Sequence, residues 1–553
     1  MKTLLKNPDA VHVVINPRTG KKYAIPHSVK QGSYTITDLI PVEKTTTENC
    51  FTTKEIWDII VKNAWSNGEP GILFDDKING TNTTPHVGQI ESPNPCGEQP
   101  LLPYEACILG SIDVSKFVIT GRIDLDWDKL AETINLAVRF LDNMIDANYY
   151  PVPQIRETTL RNRRIGLGIM GFAYMLILLG IRYGSDKSIE MAGKLASFIQ
   201  KHAHKTSELL AKERGSFPNW KGSLWDLKYH RPMRNASCTT IAPTGSISRI
   251  AGTSSGIEPL FSIVTKSRVL EGQEFIQIDS LVERLGTEQG WLTDKVRDVL
   301  SQGVKPKEIP EIPQKLAEVL VTAHEVTPEE HVRIQAAFQK YTDNAVSKTV
   351  NLPADATVED VDKVYRLAFD LGCKGITVYR DGCRNNQVIT SAHKSSQTEV
   401  HITSPRPRPR KTTGTTIKSK TGCGSLFITL NKDEKGLFEI FTNLGKAGGC
   451  PSQSEATARI LSVALRSGVE PEVLIEQLRG IRCLSTVTRR RSNKDIDVLS
   501  CPDAIARAMQ DTMGQNYEPV ITSTINKCPD CSYPLRRESG CNVCDNCGYS
   551  KCG

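Results

Sequence analysis

The sequence has no apolar run of the roughly 20 residues that a membrane-spanning helix needs. Its longest apolar stretch, Met170 to Ile181, is interrupted by Gly171 and Gly180. Residues 1–7 also lack the apolar core of a secretory signal peptide. From these absences we expect a cytoplasmic protein without a membrane partner.

A strong charge of one sign is missing as well. The formal net charge is +7 over 553 residues, from 69 Lys and Arg against 62 Asp and Glu. This balance permits anionic substrates such as nucleotides but does not demand nucleic acid. The length predicts several domains, and the 39% hydrophobic fraction is typical of globular proteins.

Cysteine, by contrast, is plentiful, with 16 in the chain and six of them in the last 26 residues. Without an export signal, metal or redox chemistry is favoured over a disulfide framework. Two Cys-x-x-Cys pairs predict a structural Zn²⁺ site. Its predicted ligands are Cys528, Cys531, Cys544 and Cys547. In that case Cys541 and Cys552 are not metal ligands. Alternatively, Cys541 binds the metal, and Cys547 and Cys552 form a Cys-x4-Cys pair.

Residues 91–100, Glu-Ser-Pro-Asn-Pro-Cys-Gly-Glu-Gln-Pro, have neither a helical nor a strand period. Three prolines limit the backbone, so the stretch should be a fixed loop. Alternate side chains of an extended segment share one face, which predicts that Asn94, Cys96 and Glu98 lie together. A carboxylate beside a cysteine raises the pKa of the thiol, which suits hydrogen-atom chemistry better than thiolate chemistry.

This loop resembles the finger loop of the large-type ribonucleotide reductases, and among them most nearly the adenosylcobalamin-dependent class II enzymes. A second cysteine, Cys107, follows eleven residues after Cys96. The resemblance runs from near Asn16 to the last residue and covers about the second half of the family's usual length. It implies an α/β fold over residues 1–393, the C-terminal part of a ten-stranded α/β barrel with the finger loop through its centre.

The resemblance also implies a reaction, the reduction of ribonucleotides to 2′-deoxyribonucleotides by a thiyl radical. Cys96 would abstract the 3′ hydrogen, Glu98 would take the 3′-OH proton, and Asn94 would orient the substrate. Cys107 would be one of two thiols that become a disulfide. Adenosylcobalamin is the implied radical source. Class I large subunits instead place two adjacent tyrosines near the last strand, whereas Tyr379 stands alone.

The family's first half has no counterpart in this sequence, and with it the effector site and the partner cysteine of Cys107 are missing. We therefore expect one part of a split enzyme, whose first half is a separate chain, or a truncated gene product. The assembled enzyme would be a homo-oligomer. The family re-reduces its site through a C-terminal dithiol, which implies Cys552 with Cys541 as shuttle and a thioredoxin-like reductant.

Two alternatives stay open. One is a class I large subunit. The other is a non-catalytic, zinc-containing regulatory or binding subunit of a split reductase.

A second motif, Ala-Pro-Thr-Gly-Ser-Ile-Ser at residues 242–248, precedes a predicted helix. Hydroxyls and backbone N–H groups at a helix start can bind phosphate, although the pattern also suits a plain helix cap. In the resembling family this stretch holds the substrate diphosphate. The implied substrate residues are Thr244, Gly245, Ser246 and Ser248. Cys238 nearby is predicted to be a buried small side chain.

Gly166, Gly168 and Gly171 satisfy the Gly-x-Gly-x-x-Gly pattern of dinucleotide sites. We reject that interpretation, because no strand is predicted before them and no acidic residue follows at the required distance. Close helix packing by small residues is predicted instead. Helices are predicted at 54–63 and 127–148.

The C-terminal third is predicted to contain three segments. Residues 394–412 form a Pro- and Arg-rich, stiff, cationic linker. Residues 413–515 form a small α+β domain with strands at 425–430 and 437–442, and residues 499–503 resemble the signature of a domain appended to class II reductases. Residues 516–553 form a zinc ribbon and redox tail.

Overall fold

The computed structural model describes residues 1–16, 19–29, 35–119, 121–268, 274–383, 390–391, 405–434, 436–444, 451–490, 493, 495–513, 536–538, 541–543 and 550–552. The chain divides into two units, Met1–Ser395 and Ser396–Gly553. The division falls inside the predicted linker, residues 394–412.

The first unit alternates helices with short strands. Its strands are β1 (Val13–Ile15), β2 (Lys22–Ala24), β3 (Ile40–Pro41), β4 (Ile72–Leu73), β5 (Ser92–Pro93), β6 (Pro100–Leu101), β7 (Ile108–Asp113), β8 (Ile165–Met170), β9 (Val264–Arg268), β10 (Glu274–Ile278), β11 (Thr349–Leu352), β12 (Gly375–Arg380) and β13 (Thr390–Ser391). Its helices are α1 (Lys2–Lys6), α2 (Thr53–Asn67), α3 (Asp75–Asn79), α4 (Trp127–Ala147), α5 (Pro153–Asn162), α6 (Phe172–Leu178), α7 (Asp186–Arg214), α8 (Leu224–Leu227), α9 (Ile247–Ala251), α10 (Ser280–Glu288), α11 (Asp294–Ser301), α12 (Gln314–Ala317), α13 (Pro328–Gln339) and α14 (Val358–Asp370).

A succession of parallel strands forms the centre of this unit. β7 pairs with β8 in parallel, and β8 bonds to residues 237–241. That segment pairs in turn with residues 344–347, which lead directly into β11, and β11 pairs in parallel with β12. Antiparallel β4 adds to β12. Helices connect the parallel strands, so the α/β class predicted for this unit is confirmed.

The two helices predicted from apolar spacing are present. α2 begins with a capping box, in which Thr52 and Glu55 satisfy each other's backbone N–H groups. α4 is capped by Asp126, and its buried side chains recur at intervals of three and four residues. α4, α6 and α7 enclose one face of β7 and β8 in the main core, while α2 and α14 cover β11 and β12 in a second core.

The first two glycines of the Gly-x-Gly-x-x-Gly pattern lie in a strand. The prediction that these glycines allow helices to pack closely is therefore wrong. Gly166 and Gly168 lie within β8, whose residues are all buried, so the strand shows a continuous apolar run without alternation. A Cβ on Gly168 would overlap the carbonyl oxygen of Thr240 on the neighbouring segment. Gly171 follows at φ +80° and begins α6. The glycines therefore permit close approach within the strand layer.

A buried carboxylate joins α4 to three other segments. Asp142 is fully buried and accepts hydrogen bonds from Arg163 at 2.9 Å and from Asn235 at 3.0 Å. Arg214 and Arg234 also reach it, at 3.2 and 3.3 Å. Buried charged groups in proteins are typically paired and hydrogen-bonded in this way.

The second unit contains an antiparallel meander of β14 (Thr413–Thr421), β15 (Gly424–Asp433) and β16 (Gly436–Leu444). The predicted strands fall inside β15 and β16. Leu426, Ile428 and Leu430 alternate toward the core. The core is completed by the helices α15 (Pro451–Arg466), α16 (Pro471–Leu478) and α18 (Cys501–Thr512), and α17 (Leu484–Arg490) lies between the last two in the chain.

The cationic part of the predicted linker differs from expectation. Arg408 forms two hydrogen bonds to the buried Glu439, at 2.8 and 3.1 Å, and Arg406 pairs with Asp433. The Arg406 N–H also donates to the Arg466 carbonyl, and the Arg466 guanidinium donates to the Arg406 carbonyl. Ion pairing therefore fixes residues 405–410 on the second unit, and this part of the chain is not a free spacer.

Three short strands lie in the C-terminal tail: β17 (Arg536–Glu538), β18 (Cys541–Val543) and β19 (Ser550–Cys552). β18 and β19 are antiparallel, with Cys541 directly opposite Cys552. The four predicted zinc ligands, Cys528, Cys531, Cys544 and Cys547, lie outside the described residues.

Across the described ranges, no helix combines the length and the apolar character needed to cross a membrane.

Replacing Asp142 with Asn should lower the free energy of unfolding by about 3–5 kcal/mol, because the arginines around it lose their counter-charge. Denaturant unfolding followed by circular dichroism measures the change. The control is Asp186→Asn, which removes an ion pair to Arg333 from a carboxylate that is 86% exposed and should leave the midpoint unchanged. An unchanged midpoint in Asp142→Asn would contradict the assigned burial.

Two glycine substitutions should have opposite effects. Gly168→Ala should destabilise the first unit by about 1–3 kcal/mol, since its Cβ meets the Thr240 carbonyl. Gly193→Ala, inside α7 with nothing within 4 Å of the added Cβ, should stabilise it by about 0.5–1 kcal/mol. Thermal unfolding of both variants checks this. Equal shifts would rule out close packing at Gly168.

Candidate active site

The finger loop, residues 91–100, forms a tight hairpin together with Leu101. β5 and β6 pair through Ser92 with Leu101 and Pro93 with Pro100. The side-chain oxygen of Asn94 accepts from the Gln99 N–H at 3.0 Å, and its carbonyl accepts from the Gly97 N–H at 3.0 Å. Gly97 has φ +82°, which glycine adopts without strain. The prolines and Asn94 therefore close a turn.

This turn corrects the prediction that three side chains share one face. Cys96 is exposed, whereas Glu98 is buried with 3% exposure. The αL conformation of Gly97 separates them, so the alternation of an extended strand does not apply. Asn94 uses its side-chain oxygen to close the turn, a role that the sequence analysis missed.

A cavity of about 440 Å³ opens beside the loop. Asn94 and Cys96 form one wall, and residues 346–349 and 375–377 line other parts of it together with Pro243. Partial burial, and secondly the charge of Glu98, raise the pKa of the Cys96 thiol. The site therefore presents a protonated sulfur to a space that a small molecule can enter.

Hydrogen bonds fix the backbone of Glu98 but not the Oε2 of its carboxylate. Its carbonyl accepts from the Thr240 hydroxyl at 2.9 Å and from the Ala345 N–H at 3.0 Å. Among the described residues, its Oε2 has no hydrogen-bond partner, and neither amide atom of the buried Gln99 has one. A buried carboxylate oxygen without a partner is available to accept a proton or a substrate hydroxyl.

Cys107 lies immediately before β7 and is half-buried. Its thiol is 3.8 Å from the carbonyl of Ile108. Burial raises the pKa of this thiol well above its usual range, an effect that the nearby Arg164 partly offsets and the charges of Glu105 and Glu98 increase. The charge of Glu98 thus contributes to the raised pKa of both thiols, Cys96 and Cys107.

The predicted phosphate loop divides into buried and exposed residues. Thr244, at φ +54°, is buried, and its hydroxyl accepts from the Gly256 N–H at 2.7 Å. Ser248 is also buried and bonds to Ser255 at 2.9 Å. Gly245 and Ser246 are exposed, and Pro243, two residues before Gly245, lines the cavity. Two residues thus hold the loop, and two are open to a ligand.

The remaining predictions concern cysteines that are not among the described residues lining the cavity. Cys238 is fully buried, as predicted. Cys541 and Cys552 oppose each other on β18 and β19 of the second unit. The sequence analysis missed Lys348, a buried lysine in the cavity wall. Its signal in the sequence is a cation directly before the residues of β11.

Curated relatives share much of the sequence. The chain is 50% identical over 338 residues to a vitamin B12-dependent ribonucleoside-diphosphate reductase of Thermoplasma acidophilum, covering 61% of this chain and 44% of that protein. It is 42% identical over 386 residues to a protein of the same name from Mycobacterium tuberculosis, covering 69% and 51%. The chain thus spans about half the length of these relatives.

The fold also matches a solved structure, the Actinobacillus ureae class Id ribonucleotide reductase alpha subunit. The TM-score is 0.50 at 22% identity, over 60% of this chain and 61% of that one. This likeness extends to the fold alone.

Family models match both units. The model described as TSCPD domain matches residues 395–513, which include the small α+β domain. The model described as ribonucleotide reductase, barrel domain, matches residues 37–230 and 226–379, more than half of the chain and including the finger loop, the cavity walls and the parallel strands. The chain therefore belongs to the ribonucleotide reductase barrel-domain family.

Proposed function

We propose that this chain supplies the catalytic thiol of an adenosylcobalamin-dependent ribonucleotide reductase. The observation that carries the proposal is the exposed Cys96 in a cavity wall, two residues before the buried Glu98, whose Oε2 has no hydrogen-bond partner among the described residues. The proposal concerns the assembled enzyme, a homo-oligomer in which the rest of the family's fold joins this chain as a separate polypeptide and completes a ten-stranded barrel.

The chemistry explains why a thiol is needed. The 2′-OH of a ribose is a poor leaving group, and its direct displacement by hydride is unfavourable. As a thiyl radical, Cys96 takes the 3′ hydrogen atom, which forms an S–H bond and leaves an unpaired electron on C3′. Glu98 accepts the 3′-OH proton, and the 2′-OH leaves as water once it is protonated. The raised pKa of Cys96 keeps this sulfur in the S–H state that hydrogen-atom transfer requires.

Two electrons must then reach the sugar. Cys107 and a second thiol supply them by forming a disulfide, and Cys96 finally returns its hydrogen atom to C3′. The high pKa of Cys107 keeps its hydrogen in place until it is transferred. Gly245 and Ser246 of the phosphate loop, open to solvent beside the cavity, would bind the diphosphate, while Thr244 and Ser248 hold the loop in shape.

The residues at the cavity fit the proposed cofactor. Adenosylcobalamin supplies the radical chemistry that converts a thiol into a thiyl. Cys96, in the wall of the cavity, would be the residue from which this chemistry removes a hydrogen atom. A protonated, exposed sulfur is the hydrogen donor that such chemistry requires, whereas a metal-bound or fully buried one is not.

The C-terminal tail would carry the reducing equivalents. We assign Zn²⁺ to Cys528, Cys531, Cys544 and Cys547 on the spacing of their pairs. The cross-strand opposition of Cys541 and Cys552 supports a dithiol shuttle, because facing residues of an antiparallel pair have Cα atoms within disulfide range. A thioredoxin-like protein would reduce this pair.

Cys96→Ala should lower deoxyribonucleotide formation by the assembled enzyme at least about 1,000-fold, since no other group can take its radical role. Turnover with adenosylcobalamin and a small dithiol measures it. Cys373→Ala, at a buried cysteine outside the cavity, is the matched control and should retain most activity. Retained turnover in Cys96→Ala would favour a regulatory subunit instead.

Cys552→Ser and Cys541→Ser should behave alike. Each should retain turnover with a small dithiol and lose it with thioredoxin, since either substitution removes half of the dithiol. Steady-state rates with the two reductants decide this. If Cys541→Ser is as active with thioredoxin as the unsubstituted chain, the cross-strand pair is not the shuttle.

A further inference from the structure

Lys348 is a buried lysine in the wall of the cavity that holds Cys96. Its side chain has 0% exposure. The ammonium contacts the Glu258 carboxylate, His331 Nδ1 at 2.8 Å and the carbonyl of Thr349 at 2.5 Å. An ammonium has three donors, so each acceptor takes one of them.

His331 is set up to accept this bond. It is fully buried, and its Nε2 lies 3.1 Å from the carbonyl of Ala323, which can only accept. Nε2 therefore carries the proton, and Nδ1 offers its lone pair to Lys348. Burial, and then the charge of Lys348, lower the pKa of His331 to about 2. The imidazole is thus a neutral acceptor on α13.

Glu258 connects Lys348 to the backbone of the same strand. One carboxylate oxygen binds the ammonium, and the other accepts from the Thr349 N–H at 2.7 Å. Its side chain is 26% exposed. Residues 348 and 349 both line the cavity, so Glu258 is anchored on the cavity wall itself.

The chain before Glu258 is the predicted phosphate loop. The Glu258 N–H donates to the Ser255 carbonyl at 3.0 Å, and the Ser255 hydroxyl bonds to Ser248 at 2.9 Å. The neighbouring Gly256 N–H donates to the Thr244 hydroxyl at 2.7 Å. These hydrogen bonds connect the phosphate loop to Glu258. Glu258 therefore anchors the whole segment of residues 244–258.

We propose that Lys348, together with Glu258 and His331, is a positioning residue that fixes the phosphate loop relative to the Cys96 thiol. The inference rests on the proposed function. All three donors of Lys348 are used within the protein, so it acts through the loop and not on the substrate.

Hydrogen exchange of the full chain tests the anchor without relying on activity. In Lys348→Met, amides of residues 244–258 should exchange at least about tenfold faster, because the loop opens more readily. The matched control is Lys374→Met, at another buried lysine, whose ammonium binds the carbonyls of residues 343 and 344. It should leave exchange in this loop unchanged. Unchanged exchange in Lys348→Met, or the same increase in both variants, would overturn the proposal.

A double variant separates positioning from general stability. Lys348→Met combined with Glu258→Gln leaves no unpaired charge, so thermal stability should recover relative to Lys348→Met alone. Exchange in the loop should stay fast, since the anchor is still absent. Recovery of slow exchange along with stability would make the cluster merely structural.

Kinetics of the assembled enzyme then test the role in turnover. In Lys348→Met the KM for ribonucleotide should rise about tenfold, with kcat changed less than about threefold, because the loss lies in holding the phosphate. A fall in kcat at unchanged KM would contradict a positioning role. If the unsubstituted enzyme has no reductase activity, the proposed function fails, whereas hydrogen exchange still decides whether the anchor exists.

Discussion

Two hydrogen bonds to the carbonyl of Glu98 hold the finger loop within the strand layer. The donors, the Thr240 hydroxyl and the Ala345 N–H, belong to neighbouring parallel segments. The two reactive side chains near this fixed point differ in exposure: Cys96 lines the cavity, whereas the Glu98 side chain is buried. Neighbouring strands hold this backbone group in place. The positions of the reactive side chains on the loop are therefore well defined.

Glycines in β8 make room for this arrangement. A Cβ at Gly166 would lie 2.7 Å from the amide nitrogen of Gln99, the residue next to Glu98. A Cβ at Gly168 would meet the backbone of the neighbouring segment, at the carbonyl oxygen of Thr240. The glycine spacing that resembles a dinucleotide motif thus has a different physical origin, since it allows the loop and a strand to pack against the same small-residue surface.

Local signals predicted much of this molecule and failed where tertiary contacts decide. The cap and apolar spacing of α4 suffice to predict a helix, and the letters around Cys96 indicate the family. β8 was missed because a strand buried on both faces has no alternation. The face shared by Asn94, Cys96 and Glu98 was predicted from an extended backbone, but hydrogen bonds close a turn. No sequence pattern indicates that Arg408 binds Glu439, because pairing across 31 residues depends on the fold.

The neutral imidazole of His331 makes the first unit sensitive to acid. Its folded pKa of about 2 lies below the ordinary value of 6.5. As the pH falls below 6.5, the unfolded chain binds a proton that the native protein refuses, so native stability decreases steadily with acidification until the folded pKa is reached. A histidine held as a neutral acceptor therefore contributes less to native stability in acid than near neutrality.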